Sequence, residues 1–560
     1  MNNMATVIVF LAILITAGTS SAAPDIAAKT SLAGESTSVD NDTYIDENYI
    51  LMFVTNDGSL GRDLSGFFGY DYGTWYPYSG EPLSIAMNIN HAGEYSPLFA
   101  AGIWLAGIDS ASGELRAAVS EYQSEFVAGP MSGGTYMPDD PSFRVYKLYA
   151  ESLAANPNSD YLNWPEEQGA PINILGNPIM IGDQMLWSVY NDANPAQHIC
   201  NMGSTEPLGI EIQQTVWAVS SIKSQGDIFG GTFGNTPASA GKILELDDQA
   251  VYIEFKMFNN GGRTFKNMYF GMWADPDLGS ASDDLVGCDT LNDLFYCYNS
   301  TNTDAQYGTS PPASGFRILK GPLVPSAGDT AAFGMGLVPD HKNLNMTAFI
   351  KYVGGADPDA PAEIYNYLKG LYSDGAPYIY NAQTLKYMHS GDPVTALGDL
   401  DISPADRVML GSCGPFDFRP GDSQYVLVKF AAIKYQNNLA AITELKNLLN
   451  APYSIPLDVT EPDNELLPAE FNLRANYPNP FNSCTVIEYS LPSKSPVTIA
   501  IYNLLGQKVR TLVKMEQAAG NYSIIWDGMD NIGEQVSSGI YFYRMETDQF
   551  TQTRKMILLK

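Results

Sequence analysis

Chemistry, if the chain does any, is best sought in the run Asp275-Pro276-Asp277-Leu278-Gly279 and the run Asp283-Asp284-Leu285-Val286-Gly287-Cys288-Asp289 that follows it. Asp275, Asp277, Asp283, Asp284 and Asp289 place five carboxylates within fifteen residues, interrupted by glycines that let the backbone turn. Such a segment could wrap one hard cation, with main-chain carbonyls completing six to eight oxygen ligands, and calcium is the metal that suits this donor set. The spacing is not that of an EF-hand, and a solvated acidic loop is the competing reading. Nucleophilic chemistry has less to build on. No GxSxG elbow, HExxH helix, Walker loop or Rossmann glycine pattern occurs. Gly411-Ser412-Cys413-Gly414-Pro415 sets a cysteine in what reads as a tight turn, with no assignable histidine partner. Paired carboxylates for sugar hydrolysis remain open, because their separation exists only in the fold.

A dense aromatic cluster, with Tyr72, Trp75, Tyr76 and Tyr78 among its members, could stack on sugar rings or meet another protein, or form local core under a loop. Of the five cysteines, Cys288 and Cys297 flank a turn and make the expected disulfide in an oxidising compartment; Cys200 with Cys413 is a pairing that nothing local supports. No CxxC pair or neighbouring histidines suggest zinc.

The elements that must position these groups are mainly strands. Fifty glycines, 35 prolines and 34 tyrosines in 560 residues point to many short strands joined by turns, and the length points to more than one domain. The formal charge of -32 excludes a nucleic-acid backbone as a partner and disfavours an anionic membrane. Residues 1–22 read as a signal peptide, 23–48 as a flexible acidic leader, 49–225 as one β-rich domain, 226–241 as a junction or loop, and 242–450 as a second β-rich domain with a C-terminal helix. Past the signal, no apolar run is long enough to span a membrane, so the mature chain is expected to lack a transmembrane segment.

Within this body, residues 100–107 and 115–120 read as a hairpin around Asp109–Gly113, and 142–155 as a helix. Residues 250–258 and 265–273 alternate on either side of Asn259-Asn260-Gly261-Gly262 and are expected to pair as a hairpin. Helices are expected at 361–372 and at 438–449, the latter with Asn438 as a possible cap.

Residues 451–470 carry five acidic residues, four prolines and no Lys or Arg, the composition of an extended linker. Beyond it, residues 471–560 hold nine Lys/Arg against seven Asp/Glu, a net +2 that leaves -34 for the rest of the chain. The charge step supports a domain boundary. About seven short strands follow at spacings that suit an immunoglobulin-like antiparallel sandwich.

The motifs here are Tyr477-Pro478-Asn479-Pro480-Phe481-Asn482, Ile501-Tyr502-Asn503-Leu504-Leu505-Gly506-Gln507, Trp526-Asp527-Gly528, Ser538-Gly539-Ile540-Tyr541 and a final run ending at Lys560. In their order and spacing these residues closely resemble the type A C-terminal sorting domain of the bacterial type IX secretion system, itself similar to the immunoglobulin-like domain of flagellar hook-cap proteins. The resemblance covers 471–560 only. It implies export across the inner membrane, then recognition by the type IX outer-membrane machinery and its sortase. The products are commonly attached to surface lipopolysaccharide or released from a Gram-negative cell. The body resembles only uncharacterised secreted proteins. With catalytic motifs scarce, the expectation is a secreted or surface-bound binding, adhesive or structural protein with an unknown extracellular ligand rather than an enzyme. The alternative is a secreted hydrolase of polysaccharide or protein.

Overall fold

The computed structural model describes residues 41–62, 73–76, 96–150, 157–173, 176–198, 205–219, 246–334, 336–354, 356–451, 470–476, 479, 481, 485–517, 520–526, 528–531 and 535–559. The expected signal peptide and the greater part of the linker lie outside them. So do the 226–241 junction, Tyr72, Tyr78, Cys200, Cys484, Pro478, Pro480, Asn482 and Lys560.

The chain is mainly β, in antiparallel sheets. In chain order the main elements of the body are β1 (Ala100–Asp109), β2 (Leu115–Val119), β3 (Gln184–Asn191), β4 (Ile210–Ala218), β5 (Ala250–Asn259), β6 (Phe265–Asp275), β7 (Asp284–Asp289), β8 (Leu294–Asn299), β9 (Ala313–Lys320) and β10 (Ala348–Val353). They continue with helix α1 (Pro361–Leu368), β11 (Arg407–Phe418), β12 (Ser423–Ile433) and helix α2 (Asn438–Asn450).

Two sheets face each other. The larger, of nine strands, runs β7-β8-β9-β12-β5-β4-β3, with Val127–Ala128 and Tyr146–Tyr149 both pairing with β3; the smaller runs β10-β11-β6-β1-β2. Phe255 meets Phe270 with ring centroids 5.8 Å apart, and Phe295 meets Phe349 at 5.5 Å, across the gap between the sheets. Gly411 is needed where they approach, since a Cβ there would stand 2.2 Å from the Phe295 ring. Helices cover both outer faces. Ile442, Leu445, Leu448 and Leu449 of α2 pack on Leu294, Tyr296 and Ala431 of the larger sheet. On the smaller sheet, α1 lays Leu368 over Gly271 and Tyr367 beside Trp104. With both faces covered, strands such as β1 and β3 are almost wholly buried, and β1 reads as a nearly continuous apolar run.

Five sequence expectations change. The 250–273 segment is no hairpin: β5 pairs with β4 and β12, whereas β6 pairs with β1 and β11, so the Asn-Asn-Gly-Gly turn carries the chain from one sheet to the other. The proposed division at 226–241 separates no two cores, because β4 and β5 pair from Ile210–Asn259 to Ala218–Val251 and one cluster of buried residues runs from Ile45 to Ala432. Of the expected 142–155 helix, 151–155 lie outside the described residues and 142–150 hold a strand, Tyr146–Tyr149, since β3 offers an open edge for its backbone groups. Within the expected leader, Asp42–Ile45 is a strand paired with Leu51–Thr55. The cap of α2 is Asn437, whose Oδ1 accepts the Ala440 amide at 2.8 Å, one residue before the position expected.

Beyond residue 470 come β13 (Thr485–Leu491), β14 (Ser495–Asn503), β15 (Lys508–Gln517), β16 (Gly520–Trp526), β17 (Gly539–Glu546) and β18 (Thr551–Leu558). Asn472–Leu473, β13 and β16 form one sheet, and β15-β14-β17-β18 the other. Alternation turns Ile487, Tyr489, Ile499, Ile501, Tyr543 and Met545 into a core separate from that of the body. This is the immunoglobulin-like C-terminal domain.

Candidate functional site

The acidic run of the sequence divides into three groups in space. Asp275 is the last residue of β6 and fully buried, and Asp277 follows in the next turn at φ 39°. With them stands Asp406, just ahead of β11; one carboxylate oxygen from each lies within 4.8 Å of the others. Three such charges repel by about 3–4 kcal/mol per pair at an effective dielectric of about 20, an environment that favours a proton or a cation.

Asp283 and Asp284 form the second group. Asp284 is buried, its Oδ2 accepts the Leu278 amide at 3.0 Å, and its main-chain carbonyl accepts the Ala405 amide at 3.2 Å. It therefore ties together the loops that carry Asp277 and Asp406. Burial pushes its carboxyl well above the usual range, and Asp277 and Asp283 push in the same direction. Asp283 faces Asn299 and Asp304, and burial raises it too. Asp304, which nothing in the sequence singled out, accepts the amides of Ser280, Gln306 and Tyr307 and so shapes this loop.

Asp289 stands apart. It closes the β7–β8 hairpin by accepting the Leu291 amide and the Asn292 side chain. It lies at the opposite end of the six-residue strand from Asp284, about 16 Å away at the usual rise per residue, too far to share one ion.

Next to Asp275 the sheet places further groups absent from the acidic run. The Tyr122 hydroxyl donates to Asp275 Oδ2 at 2.5 Å, and the Trp273 indole donates to the Tyr352 hydroxyl at 2.8 Å. Glu121 is 2 % exposed; burial, then Asp357 and other nearby acids, lift its carboxyl well above the ordinary value.

The expected disulfide does not form. Cys288 lies opposite Phe295 and Cys297 opposite Val286, so the two thiols are diagonal neighbours, and both are free and buried. Diagonal positions lie about 7–8 Å apart, beyond the usual reach of a disulfide. Cys413 is likewise a free thiol, buried in the middle of β11 rather than in a turn, and burial raises its pKa. That removes the Cys200 pairing and leaves Cys413 a poor nucleophile. Of the aromatic cluster, Tyr76 is core: its hydroxyl donates to Gln249 at 2.6 Å and accepts the Lys434 amide. Trp75 packs against Leu51 and Phe53.

In the terminal domain the motif residues converge on the last strand. Asn479 accepts the Ile557 amide at 3.0 Å through Oδ1 and donates to the Lys555 carbonyl. Phe481 exchanges backbone hydrogen bonds with Ile557 and Leu559 and packs its ring on Trp526. Trp526 is fully buried, edge-on to Tyr541 at 5.2 Å, with its indole donating to the Met529 carbonyl. Gly506 and Gly528 occupy the left-handed region at φ 76° and 68°, as turn glycines do, and Gly539 opens β17. The described motif residues thus pin the C-terminal strand, while Leu504 and Leu505 stand exposed at the β14–β15 turn.

Residues 483–549 match the FlgD Ig-like domain family. The FlgD structure from P. aeruginosa is 28% identical over 13% of this chain and 57% of its own length, with a TM-score of 0.12. The chain thus spans a little over half of that protein. A polysaccharide lyase is matched at 8% identity over 94% of this chain and 47% of its own, with a TM-score of 0.21. Latent dimeric PorU from Porphyromonas gingivalis is matched at 10% identity over 56% and 32%, with a TM-score of 0.15. Similarity at that level decides nothing about the body. No curated protein matches the chain. Among the described residues, no helix is long and apolar enough to cross a membrane.

Proposed function

We propose that the chain is an exported protein of a Gram-negative bacterium, addressed by residues 471–560 to the type IX outer-membrane machinery and its sortase. From there it is released or attached to surface lipopolysaccharide. The observation that carries this reading is the terminal domain itself: an immunoglobulin-like sandwich with its own core, in which Asn479, Phe481, Trp526 and Tyr541 meet around the final strand. A domain whose motif residues pin its own C-terminal strand offers a transport machine a rigid, separable feature to recognise. The body is read as a binding, adhesive or structural module for an extracellular ligand, stiffened by calcium at its acidic end. Asp275 and Glu121 are buried, which suits holding an ion better than reaching a polymer substrate.

The address is tested in a bacterium that possesses type IX secretion. Removing 471–560 should leave the body in the periplasm, and fusing 471–560 to an exported reporter should carry the reporter to the surface or the medium. A truncated chain that still reaches the outside would sink the reading.

A further inference from the structure

The smaller sheet gathers acidic residues at one end, and the pairing pattern explains how. β6 runs antiparallel to both β1 and β11, with Asp275 opposite Ala100 and Ala274 opposite Met409. Hence the end of β6 lies beside the start of β11, where Asp406 sits. β10 is antiparallel to β11 with Val353 opposite Arg407, so the loop after β10, carrying Asp357, emerges there too. β2 is antiparallel to β1 with Val119 opposite Trp104, and Glu121 lies two residues past the end of β2. Four separate stretches of sequence thereby deliver acids to one place.

We propose that this end of the sheet is a divalent-cation centre of the calcium class, with Asp275, Asp277 and Asp406 as its inner ligands and Glu121 and Asp357 completing its acidic wall. The inference rests on the calcium reading above and moves the ion: it leaves the 283–289 segment and joins the ends of β2, β6, β10 and β11.

Two observations independent of the acidic count support it. Glu121 is almost fully buried, its Oε1 lacks a hydrogen bond of good geometry although the Trp104 indole lies beside the carboxylate, and Asp357, Glu125 and Asp275 are among the charges it faces. A buried carboxylate oxygen left so is costly unless something positive meets it. Gly354, on the loop that leads to Asp357, donates its amide to the Asp406 carbonyl, and a Cβ at Gly354 would stand 2.3 Å from Asp406 Oδ2. The glycine thus leaves room for that carboxylate. Hard oxygen donors from strand ends and loops, with no nitrogen or sulfur among them, suit calcium's irregular coordination better than the strict octahedron of magnesium.

Terbium(III), which replaces calcium and luminesces when nearby aromatic rings absorb, reads the site directly, since Tyr122 hydrogen-bonds to Asp275 itself. With the full chain, ultraviolet excitation should give terbium emission that calcium displaces and magnesium displaces poorly, and calcium should raise the melting temperature. Asp406→Asn and Glu121→Gln should each weaken calcium binding roughly tenfold or more, as loss of a ligand or its support does, whereas Asp289→Asn should leave it within about twofold. Circular dichroism in chelator shows whether each variant folds; should Asp406→Asn not fold, Glu121→Gln and Asp357→Asn carry the test. If Asp283→Asn and Asp289→Asn abolish binding while Asp406→Asn and Glu121→Gln retain it, the ligand set is overturned and the calcium reading survives. A wild-type chain indifferent to calcium in both measurements overturns both.

Discussion

The body and the terminal domain solve burial in opposite ways. The body has two sheets under two helices and takes acids into its interior: Glu121, Glu125, Asp192, Asp275, Asp284 and Asp401 are all buried. Arg407 grips Asp401 through two bonds of 2.9 Å, and Asp275 accepts from the Tyr122 hydroxyl while standing beside Asp277 and Asp406. Among the described residues of the terminal domain, the buried polar side chains are Asn476, Thr485, Ser490, Ser495 and Arg510, with no acid among them. Its core is a small set of aromatic and aliphatic residues around Trp526. A large interior can shelter charge and use it to hold an ion or a loop. A small one spends most of its interior on apolar contact, because little burial is available to begin with.

The largest expected effect falls on the smaller region. Trp526→Ala removes the ring that joins Phe481 to Tyr541 and should cost about 3–5 kcal/mol, enough to unfold a domain of this size. In calorimetry the transition of the terminal domain should vanish while that of the body stays within about 1 °C, because the cores are separate. Loss of both transitions together would break the comparison.

Next in size is the response to pH. Burial raises Glu125 to about 8 and Asp293 to about 6. Both bind a proton more tightly folded than unfolded. Their contribution to stability is therefore complete below about pH 4 and is lost as pH rises through about 6 for Asp293 and about 8 for Glu125. One pH unit of difference between folded and unfolded pKa is worth about 1.4 kcal/mol, so in chelator the melting temperature of the body should fall between pH 5 and 8. The transition of the terminal domain should hold steady across the same window. Glu125→Gln should flatten the body's slope; an unchanged slope would remove Glu125 from the account.

The smallest effect concerns helix α2. Asn437→Ala deletes the cap on the Ala440 amide and should lower the body's stability by about 1 kcal/mol in urea titration, leaving the terminal domain unaffected. A change below about 0.3 kcal/mol would mean that packing of Leu445 and Leu449 holds the helix without its cap.

Much of the secondary structure was legible because alternation and turn chemistry are local. The 100–107 and 115–120 hairpin, both helices and the strands of the terminal sandwich follow from period and punctuation. What failed was partnership. β5 and β6 each have the pattern of a buried strand and a good turn between them, and nothing in that pattern says that the turn crosses from one sheet to the other. Cys288 and Cys297 fit a disulfide by sequence distance, yet a register offset of two residues keeps their sulfurs apart.

The candidate site divides along the same line. Asp275 and Asp277 stood out because they are neighbours in sequence; Asp406, Asp357 and Glu121 did not, each being one acid among 62 until strand pairing brings them to one end of a sheet. By itself the sequence determined an acidic, strand-rich chain that ends in an immunoglobulin-like domain, since composition and short-range spacing suffice for those. Only the tertiary structure decided which carboxylates meet, because the contacts that matter run between strands far apart in the chain, and their register is set by the packing of the whole sandwich.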